Sequence, residues 1–479
     1  MAIGKYFGLI LLAGAAAVGS ATLNAQQAPA PAAAQSAAGE VTFTRDIAPI
    51  LQRSCQNCHR PGQVAPMSLL TYEDARPWAR SMKARTAIRD KAGTMPPWYI
   101  EKNIGIQHYK NDPSLSATEV ATIAKWADTG AARGNPSDMP PARKWDDAER
   151  WTIGTPDLIV KLPELVVKGN AADWWGEMAP TPVGLDEDRY VAALEIKEVN
   201  DVPSSNGSGR ATVGGRYVFH HMIWATDKGG GDGVNAPWPV HEVGRNADTF
   251  DPRAGRLLKA GSSVVTDSVH LHSNGRDTTA HLEIGFKFHP KGYEPTLKAS
   301  PSRSLGNGVD ISIRPMEASQ QLHAYTVLTE NTKVTSFEPH LHAPGARMCL
   351  EAIWGYTIQT LTCAGYDHNW VRGYEYQDDY APLLPKGTIL HIIGFMDNSP
   401  ANKNVPDPRN WQGSGNRSVA NMFIDLGQGV ALSDEEFAKA MAERREKLRL
   451  TRNDLPIGCP LCMIMPPASP AAATSAANR

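Results

Sequence analysis

Residues 337–345 read FEPHLHAPG and place His340 and His342 two positions apart. The flanking segments are rich in β-branched, aromatic and aliphatic residues, and the APG at the end is typical of a turn. We therefore expect a β-strand, on which residues i and i+2 lie on the same face. Both imidazoles would then point to one place and form half of a metal site. Two unrelated histidines on a surface strand are the alternative.

A second candidate strand, YVFHHMIWAT at 217–226, contains the adjacent residues His220 and His221. Neighbouring residues of a regular strand point to opposite faces, so both can bind one metal only where the strand bulges or ends. In the alternative interpretation, one of the two histidines lies in the core and the other is exposed.

Two more stretches supply candidate ligands. VHLHSNG holds His270 and His272, a second pair spaced by two, and NMFIDL places Met422 on a further expected strand.

The N-terminal part contains CQNCH, in which Cys55 and Cys58 are followed directly by His59. This is the pattern of c-type haem attachment, since two thiols add to the haem vinyl groups and the adjoining histidine becomes an iron ligand. A redox or zinc-binding CxxC is the competing interpretation. We expect one covalent haem c.

The second axial ligand of a haem is usually a histidine or methionine farther along the chain. Met95 in GTMPPW is the best candidate, because Pro96 and Pro97 stiffen the segment beside it. Met67 and Met82 are as well explained as core residues.

Helices are expected from near Thr44 and from Ser116 to just before Gly130. With CQNCH, these make residues 41–135 resemble a small helical cytochrome c domain, in which Met95 takes the place of the axial methionine. Ligation by methionine and histidine would raise the haem potential and suit electron transfer.

The first residues have the pattern of an export signal. Lys5 precedes a short apolar run, and small residues follow at 23–25, so we expect a signal peptide at 1–25 and a Pro/Ala linker at 26–40. The apolar run is too short to span a bilayer. The mature chain is expected to be periplasmic or secreted, without a membrane span.

Composition excludes some partners. The formal charge is −2, and basic residues alternate with acidic ones, so neither nucleic acid nor an anionic membrane is an expected partner. The length of 479 residues allows roughly three domains of about 100–200 residues each.

After a linker at 136–155, many short candidate strands are separated by Gly, Pro, Asn and Asp. They predict β-sandwich or jelly-roll architecture. We expect a multidomain chain with a small all-α cytochrome c domain, two tandem all-β jelly-roll domains at 156–312 and 313–430, and a helix with a disordered tail at 431–479.

The histidine and methionine stretches, in this order, resemble the copper type II, ascorbate-dependent monooxygenases, which include peptidylglycine α-hydroxylating monooxygenase and dopamine β-monooxygenase. YDHNW at 366–370, LPKGT at 384–388 and MDNSPANKNVPDP at 396–408 extend the similarity. It covers most of residues 150–430.

The resemblance implies two coppers, each in its own jelly-roll domain. The first copper would take His220, His221 and His270, and the second would take the remaining ligands, His340, His342 and Met422. It also implies hydroxylation of a C–H bond with O2 at the second copper, with the first copper as an electron relay across a solvent-filled gap. His272 could replace or join His270, or support it from behind.

The implied partners are a small organic substrate, O2, and ascorbate or a periplasmic electron donor, with the fused haem as a further relay. No substrate-anchoring residue can be placed, so the substrates of the family do not carry over. The alternative is a non-catalytic copper-binding electron-transfer protein of the same fold. A structural or carbohydrate-binding β body is a third reading. A cupin is disfavoured because no glutamate closely follows either HxH pair.

The remaining features have structural explanations. Cys349 and Cys363 are expected to form a disulfide across a hairpin. Cys459 and Cys462 could form a local disulfide or, with nearby methionines, hold Cu(I). Ser433 starts the expected C-terminal helix. The other histidines are expected to be core-edge, surface or supporting residues: His108, His241, His281, His289, His323, His368 and His391.

Overall fold

A computed structural model describes most of the chain from residue 39 to residue 462. The described ranges are 39–61, 63–65, 67–144, 151–202, 216–227, 236–245, 247–300, 305–306, 310–415, 420–451 and 453–462. The expected signal peptide, nearly all of the Pro/Ala linker and the C-terminal tail with Met463 and Met465 lie outside them. No helix in the described part is long and apolar enough to cross a membrane.

The N-terminal part is helical and has its own core. Its elements are a π-helical turn Phe43–Ile47, α1 (Ala48–Ser54), α2 (Tyr72–Ala75), a 3-10 turn Arg76–Trp78, α3 (Ala79–Thr86), α4 (Ala117–Asp128) and a 3-10 turn Pro136–Asp138. Ser116 caps α4 in a reciprocal capping box with Glu119, as its sequence predicts. Phe43, Ile47 and Trp126 are buried at the centre of this part.

The rest of the described chain is mostly β-sheet. The first β body contains β1 (Leu158–Lys161), β2 (Leu165–Val167), β3 (Trp174–Gly176), β4 (Thr181–Pro182), β5 (Arg189–Asn200), β6 (Phe219–Asp227), β7 (Ala236–Pro237), β8 (His241–Glu242), β9 (Asp248–Thr249), β10 (Arg256–Leu258), β11 (Ser263–Leu271) and β12 (Thr278–Phe288).

These strands form two antiparallel sheets. One has the order β1-β12-β5-β10, with β2 and β9 at its margins, and the other has the order β3-β11-β6-β7, with β4 and β8. Val191 and Phe286 of the first sheet share one core with Trp224 and Val269 of the second. The two sheets therefore pack face to face as a sandwich.

The second β body contains β13 (Lys298–Ser300), β14 (Gln320–Val327), β15 (Asn331–Val334), β16 (Ser336–Phe337), β17 (Pro339–Leu341), β18 (Gly345–Trp354), β19 (Thr357–Gly365), β20 (Tyr374–Glu375), β21 (Leu383–Leu384), β22 (Ile389–Met396), β23 (Phe423–Asp425) and β24 (Gly429–Leu432). The sheet β14-β22-β18-β19 packs on a layer of the shorter strands, and β13 pairs with β24. By this pairing the second body begins before residue 312.

Both cysteine pairs outside CQNCH are disulfides. Cys349 and Cys363 lie directly opposite each other on β18 and β19, so the predicted cross-strand disulfide is confirmed. Cys459 and Cys462 form a local disulfide that packs beside α5 (Asp434–Lys447), which Ser433 caps as expected.

The helical part is docked on the second β body rather than tethered beside it. Trp98, Ile100 and Tyr109 are buried in the core of that body, and Ile100 bridges to Ala364. Arg347 forms an ion pair with Glu101 in the same contact.

Backbone hydrogen bonds also join the two β bodies. Val243, just after β8, donates its N–H to the carbonyl of His220, and Val371 of the second body donates to the carbonyl of Val243. Arg372 donates to the carbonyl of Gly244. The segment 366–372 is therefore held beside β6 and β8.

Candidate metal centre

A β-bulge brings His220 and His221 to one site. On β11, His270 pairs with His221, but the next residue, Leu271, pairs with Phe219, so His220 is the extra residue of the bulge. A bulge re-aims the side chain that it inserts. Because of this bulge, the adjacent residues His220 and His221 can both face one metal site.

His220, His221 and His270 form the first trio. One nitrogen of each ring lies within 4.8 Å of one nitrogen of each of the other two. The Nδ1 atoms of all three are buried and have no hydrogen-bond partner among the described residues. His220 donates through Nε2 to the carbonyl of His368 at 3.1 Å, which leaves its Nδ1 as the lone-pair nitrogen.

His272 lies beside this trio, with its ring centroid 4.4 Å from that of His220. Its Nε2 lies 2.7 Å from Nε2 of His270 and 3.2 Å from Oδ2 of Asp173. The Nδ1 of His270 has no hydrogen-bond partner among the described residues. His270 also belongs to a second group close enough to hold a metal ion, with Asp173 and His272. Only His270 joins His220 and His221 in the first group, which favours it as the third ligand and gives His272 the position of a supporting partner.

His340 and His342 form the second pair, on β17 and just beyond its end. Both are buried, and their ring centroids are 5.4 Å apart. His342 donates through Nδ1 to the carbonyl of Ala420 at 3.1 Å, and Nδ1 of His340 lies 2.7 Å from Oε1 of Glu242. His342 thus has its Nε2 left for a ligand, and the Nδ1 of His340 has no hydrogen-bond partner among the described residues.

Met422 lies next to this pair. β17 and β23 pair His340 with Ile424 and Leu341 with Phe423, so the next position in register sets Met422 opposite His342. Met422 and His340 also line the same cavity. His340, His342 and Met422 are called the second trio below.

The two trios are in contact rather than separated by a gap. The ring centroids of His221 and His340 are 6.2 Å apart. His368 contacts both sides, with its ring centroid 4.9 Å from that of His220 and 6.1 Å from that of His342. The separation implied by the family resemblance therefore does not describe this structure. The histidine cluster comprises His220, His221, His270, His272, His340, His342 and His368.

His368 belongs to the cluster, although its local sequence predicts only a core-edge, surface or supporting residue. It is buried, and its Nδ1 has no hydrogen-bond partner among the described residues. The available signal was its place in YDHNW, but nothing local to that stretch reports its distance from β6 or β17.

Burial favours the neutral form of five imidazoles of the cluster. It lowers the pKa of His220, His221 and His342 well below the ordinary histidine value, and the neighbouring imidazoles add to the effect. Burial also lowers the pKa of His270 to about 4 and that of His368 to about 3. Metal binding requires the neutral ring, so these five imidazoles are ready to bind metal at neutral pH.

The CxxCH residues lie in the helical part at the end of α1. Cys55 and Cys58 are free thiols, and His59 is buried. Nδ1 of His59 donates to the carbonyl of Met67 at 3.2 Å, which leaves Nε2 as the free lone-pair nitrogen.

The expected axial methionine is placed apart from the core. Met95 is 42% exposed and lines a cavity of about 510 Å³ together with Trp98 and Leu115. His59 is not among the residues that line this cavity. Met82 is buried in the helical core, as expected of a core residue.

Comparison with known proteins adds no identification. No protein-family model and no curated protein matches the chain. Among solved structures, it is similar to the cowpea mosaic virus top component at 9% identity and a TM-score of 0.23, over 58% of this chain and 90% of that one. It is also similar to the PBSX exported protein XepA, at 6% identity and a TM-score of 0.16, over 55% of this chain and 91% of that one. A structure of PNGF-II is similar at 9% identity and a TM-score of 0.23, over 57% of this chain and 65% of that one. Likenesses this weak carry no argument.

The roles of His270 and His272 can be separated by Zn(II) titration, in a His342→Ala background that disables the second trio. We expect His270→Ala to weaken binding by about a hundredfold and His272→Ala by about tenfold, because supporting partners of a metal ligand matter less than the ligand itself. Competition with a chelator measures both affinities.

The matched control is His289→Ala, which removes a histidine stacked on Tyr293 outside the cluster and should not alter the affinity. A larger loss in His272→Ala than in His270→Ala would reverse the assignment.

Proposed function

We propose that the chain is an exported haem–copper oxidoreductase that hydroxylates a C–H bond of a small organic substrate. The overall reaction consumes the substrate, O2, two electrons and two protons, and gives the alcohol and water. A one-electron donor such as ascorbate or a periplasmic reductant supplies the electrons. The proposal includes two jelly-roll domains, a cytochrome c domain and a periplasmic or secreted location.

The observation that carries this proposal is the chemical difference between two trios that lie in contact. The first offers three imidazole nitrogens, and the second offers two imidazoles beside a thioether. Thioether sulfur favours Cu(I), whereas imidazole suits both copper oxidation states. One centre is therefore suited to reduced copper and the other to electron relay.

The residues of both trios fit copper. Buried nitrogens without hydrogen-bond partners are costly unless a ligand uses them, and His220, His221 and His270 each have one. When bound, copper would supply one-electron redox chemistry and O2 activation at the second trio.

The chain's own residues orient the ligands around that chemistry. The carbonyls of His368 and Ala420 fix the tautomers of His220 and His342 by accepting their N–H groups. Glu242 lies beside His340, with Oε1 2.7 Å from Nδ1 of the ring. Such partners keep the imidazole rings in place and raise their basicity as ligands.

The CxxCH residues fit a covalent haem better than a redox disulfide. Reactive redox cysteines have a lowered pKa. Here burial raises the pKa of the Cys55 thiol to about 12, and burial also raises that of Cys58. The remaining lone pair of His59 suits an iron ligand. When bound, haem would supply a one-electron relay.

Hydrogen bonds connect the segment of the expected axial ligand Met95 with the histidine cluster. Asp367 accepts hydrogen bonds through Oδ2 from the N–H of Gly93, two residues before Met95, and from the hydroxyl of Tyr99. The next residue, His368, accepts from His220. Asp367 therefore ties the expected haem-ligand segment to the first trio.

The hydroxylase activity depends on Met422. In the copper-loaded chain, we expect Met422→Ile to lower substrate-dependent O2 uptake by about a hundredfold or more, because even supporting partners of metal ligands change activity by about 10- to 100-fold. An oxygen electrode, with ascorbate and a panel of small aromatic and aliphatic substrates, measures the rate.

The haem spectrum should be unchanged in Met422→Ile. Met441→Ile is the matched control, since Met441 lies on α5, outside both trios, and should keep full activity. O2 uptake that does not respond to any substrate would contradict the hydroxylase and favour the non-catalytic copper-binding electron-transfer protein. Failure to bind copper would contradict both.

Electron transfer from haem to copper should depend on Asp367. After a limiting pulse of reductant, we expect the haem of the oxidised, copper-loaded chain to be reduced and then reoxidised at a rate independent of protein concentration. Asp367→Ala should slow the reoxidation several-fold, because it removes the bonds to Gly93 and Tyr99. Stopped-flow absorbance follows both phases.

Asp407→Ala is the control, because Asp407 pairs only with Arg409 on the surface in the described contacts. A reoxidation rate proportional to protein concentration would show transfer between molecules and contradict the intramolecular route.

A further inference from the structure

A cavity of about 390 Å³ adjoins both trios. His221 of the first trio and His340 and Met422 of the second line it. Cavities of this size suit small-molecule ligands. Among the described residues, the histidine cluster therefore meets a space that could admit a substrate at the junction of the two β bodies.

The wall of the cavity is mainly apolar and rich in aromatic rings. It includes Trp175, Ile223, Trp224, Trp238, Ile424 and Leu426. Trp224 and Trp238 are stacked with an interplanar angle of 14° and a centroid distance of 5.7 Å. Flat ring systems bury a large apolar area against such surfaces at low entropic cost.

Two charged side chains interrupt the apolar wall, and one of them already has a counterpart. Glu242 lies 2.7 Å from Nδ1 of His340. The carboxylate is fully buried beside that ring, whereas Arg256 keeps part of its surface exposed.

Arg256 is the other charged residue of the wall. Its guanidinium lies over the rings of Trp238 at 5.0 Å and Phe250 at 5.4 Å, and Nη2 donates to the carbonyl of Pro237. Among the described residues no carboxylate forms an ion pair with it; the nearby Asp248 pairs with Arg245. A guanidinium has five N–H donors, so most remain for a ligand.

Trp175 adds a second donor at the same cavity. Its Nε1 is buried and has no hydrogen-bond partner among the described residues. The cavity therefore combines aromatic walls, two donor groups and a positive charge. Carboxylates are the oxygen acceptors that match a guanidinium best.

We propose that this cavity is the substrate site and that its substrate is a small aromatic carboxylate, with the carboxylate held by Arg256 and the ring packed on Trp224 and Trp238. The inference rests on the proposed function and names the class of its substrate. It also identifies Arg256, in the first β body, as the specificity-determining residue for a reaction centred on the second trio.

Three probes of matched shape test the inference: 3-phenylpropionate, the neutral 3-phenylpropanol and the cationic 3-phenylpropylamine. Quenching of tryptophan fluorescence measures their binding to the full chain, with and without copper. We expect the carboxylate to bind most tightly and the amine most weakly. Arg256→Gln should weaken carboxylate binding by about tenfold and leave the alcohol unchanged.

Arg189→Gln is the matched control, since Arg189 lies over Phe288 in a similar contact outside the cavity. It should alter no affinity. Amine binding as tight as carboxylate binding, unchanged carboxylate affinity in Arg256→Gln, or saturable binding of none of the probes would each overturn the inference.

Failure of the proposed function would give a different pattern. The carboxylate would then bind with its dependence on Arg256 intact, but the copper-loaded chain would take up no O2 in response to it or to any other substrate. If other substrates drive O2 uptake at a rate that is unchanged in Arg256→Gln, the proposed function would stand, but aromatic carboxylates would not be its substrate class.

Discussion

Several imidazoles are buried against one another where the two β bodies meet. His220, His221, His270 and His368 each carry a buried Nδ1 without a hydrogen-bond partner among the described residues. A buried polar atom left in this state costs about 1–3 kcal/mol. Burial also holds the rings neutral, since their pKa values are lowered. Metal ions bound to these nitrogen lone pairs would therefore stabilise the cluster.

The interface between the two β bodies is what brings the cluster together. Arg245 of the first body forms a buried ion pair with Glu338, two residues before His340. Val243 connects the backbone of His220 to that of Val371. Removing one partner of a buried pair is strongly destabilising. The spacing of the trios is therefore set by packed and hydrogen-bonded contacts rather than by a flexible linker.

The sequence predicted the local parts of this site and missed the long-range ones. Strand periodicity predicted that His340 and His342 share a face. It also predicted that His220 and His221 can bind one metal only where the strand bulges or ends. That bulge is found at His220. Local patterns also located the capped helices and the disulfide between Cys349 and Cys363. They could not reveal the contact between the trios or the central place of His368, because these distances arise from packing between segments more than a hundred residues apart. The position of Met95 relative to His59 is likewise a tertiary property.

The two trios form one contiguous centre across the interface, and electron paramagnetic resonance of the chain loaded with two Cu(II) ions can measure how close the ions lie. The His220→Ala and His342→Ala variants provide the spectra of single sites. Because His221 and His340 are in ring contact, we expect broadened lines and a half-field transition from magnetic interaction between the two ions. A spectrum that equals the sum of the two single-site spectra, without a half-field transition, would show that the two trios are separate sites.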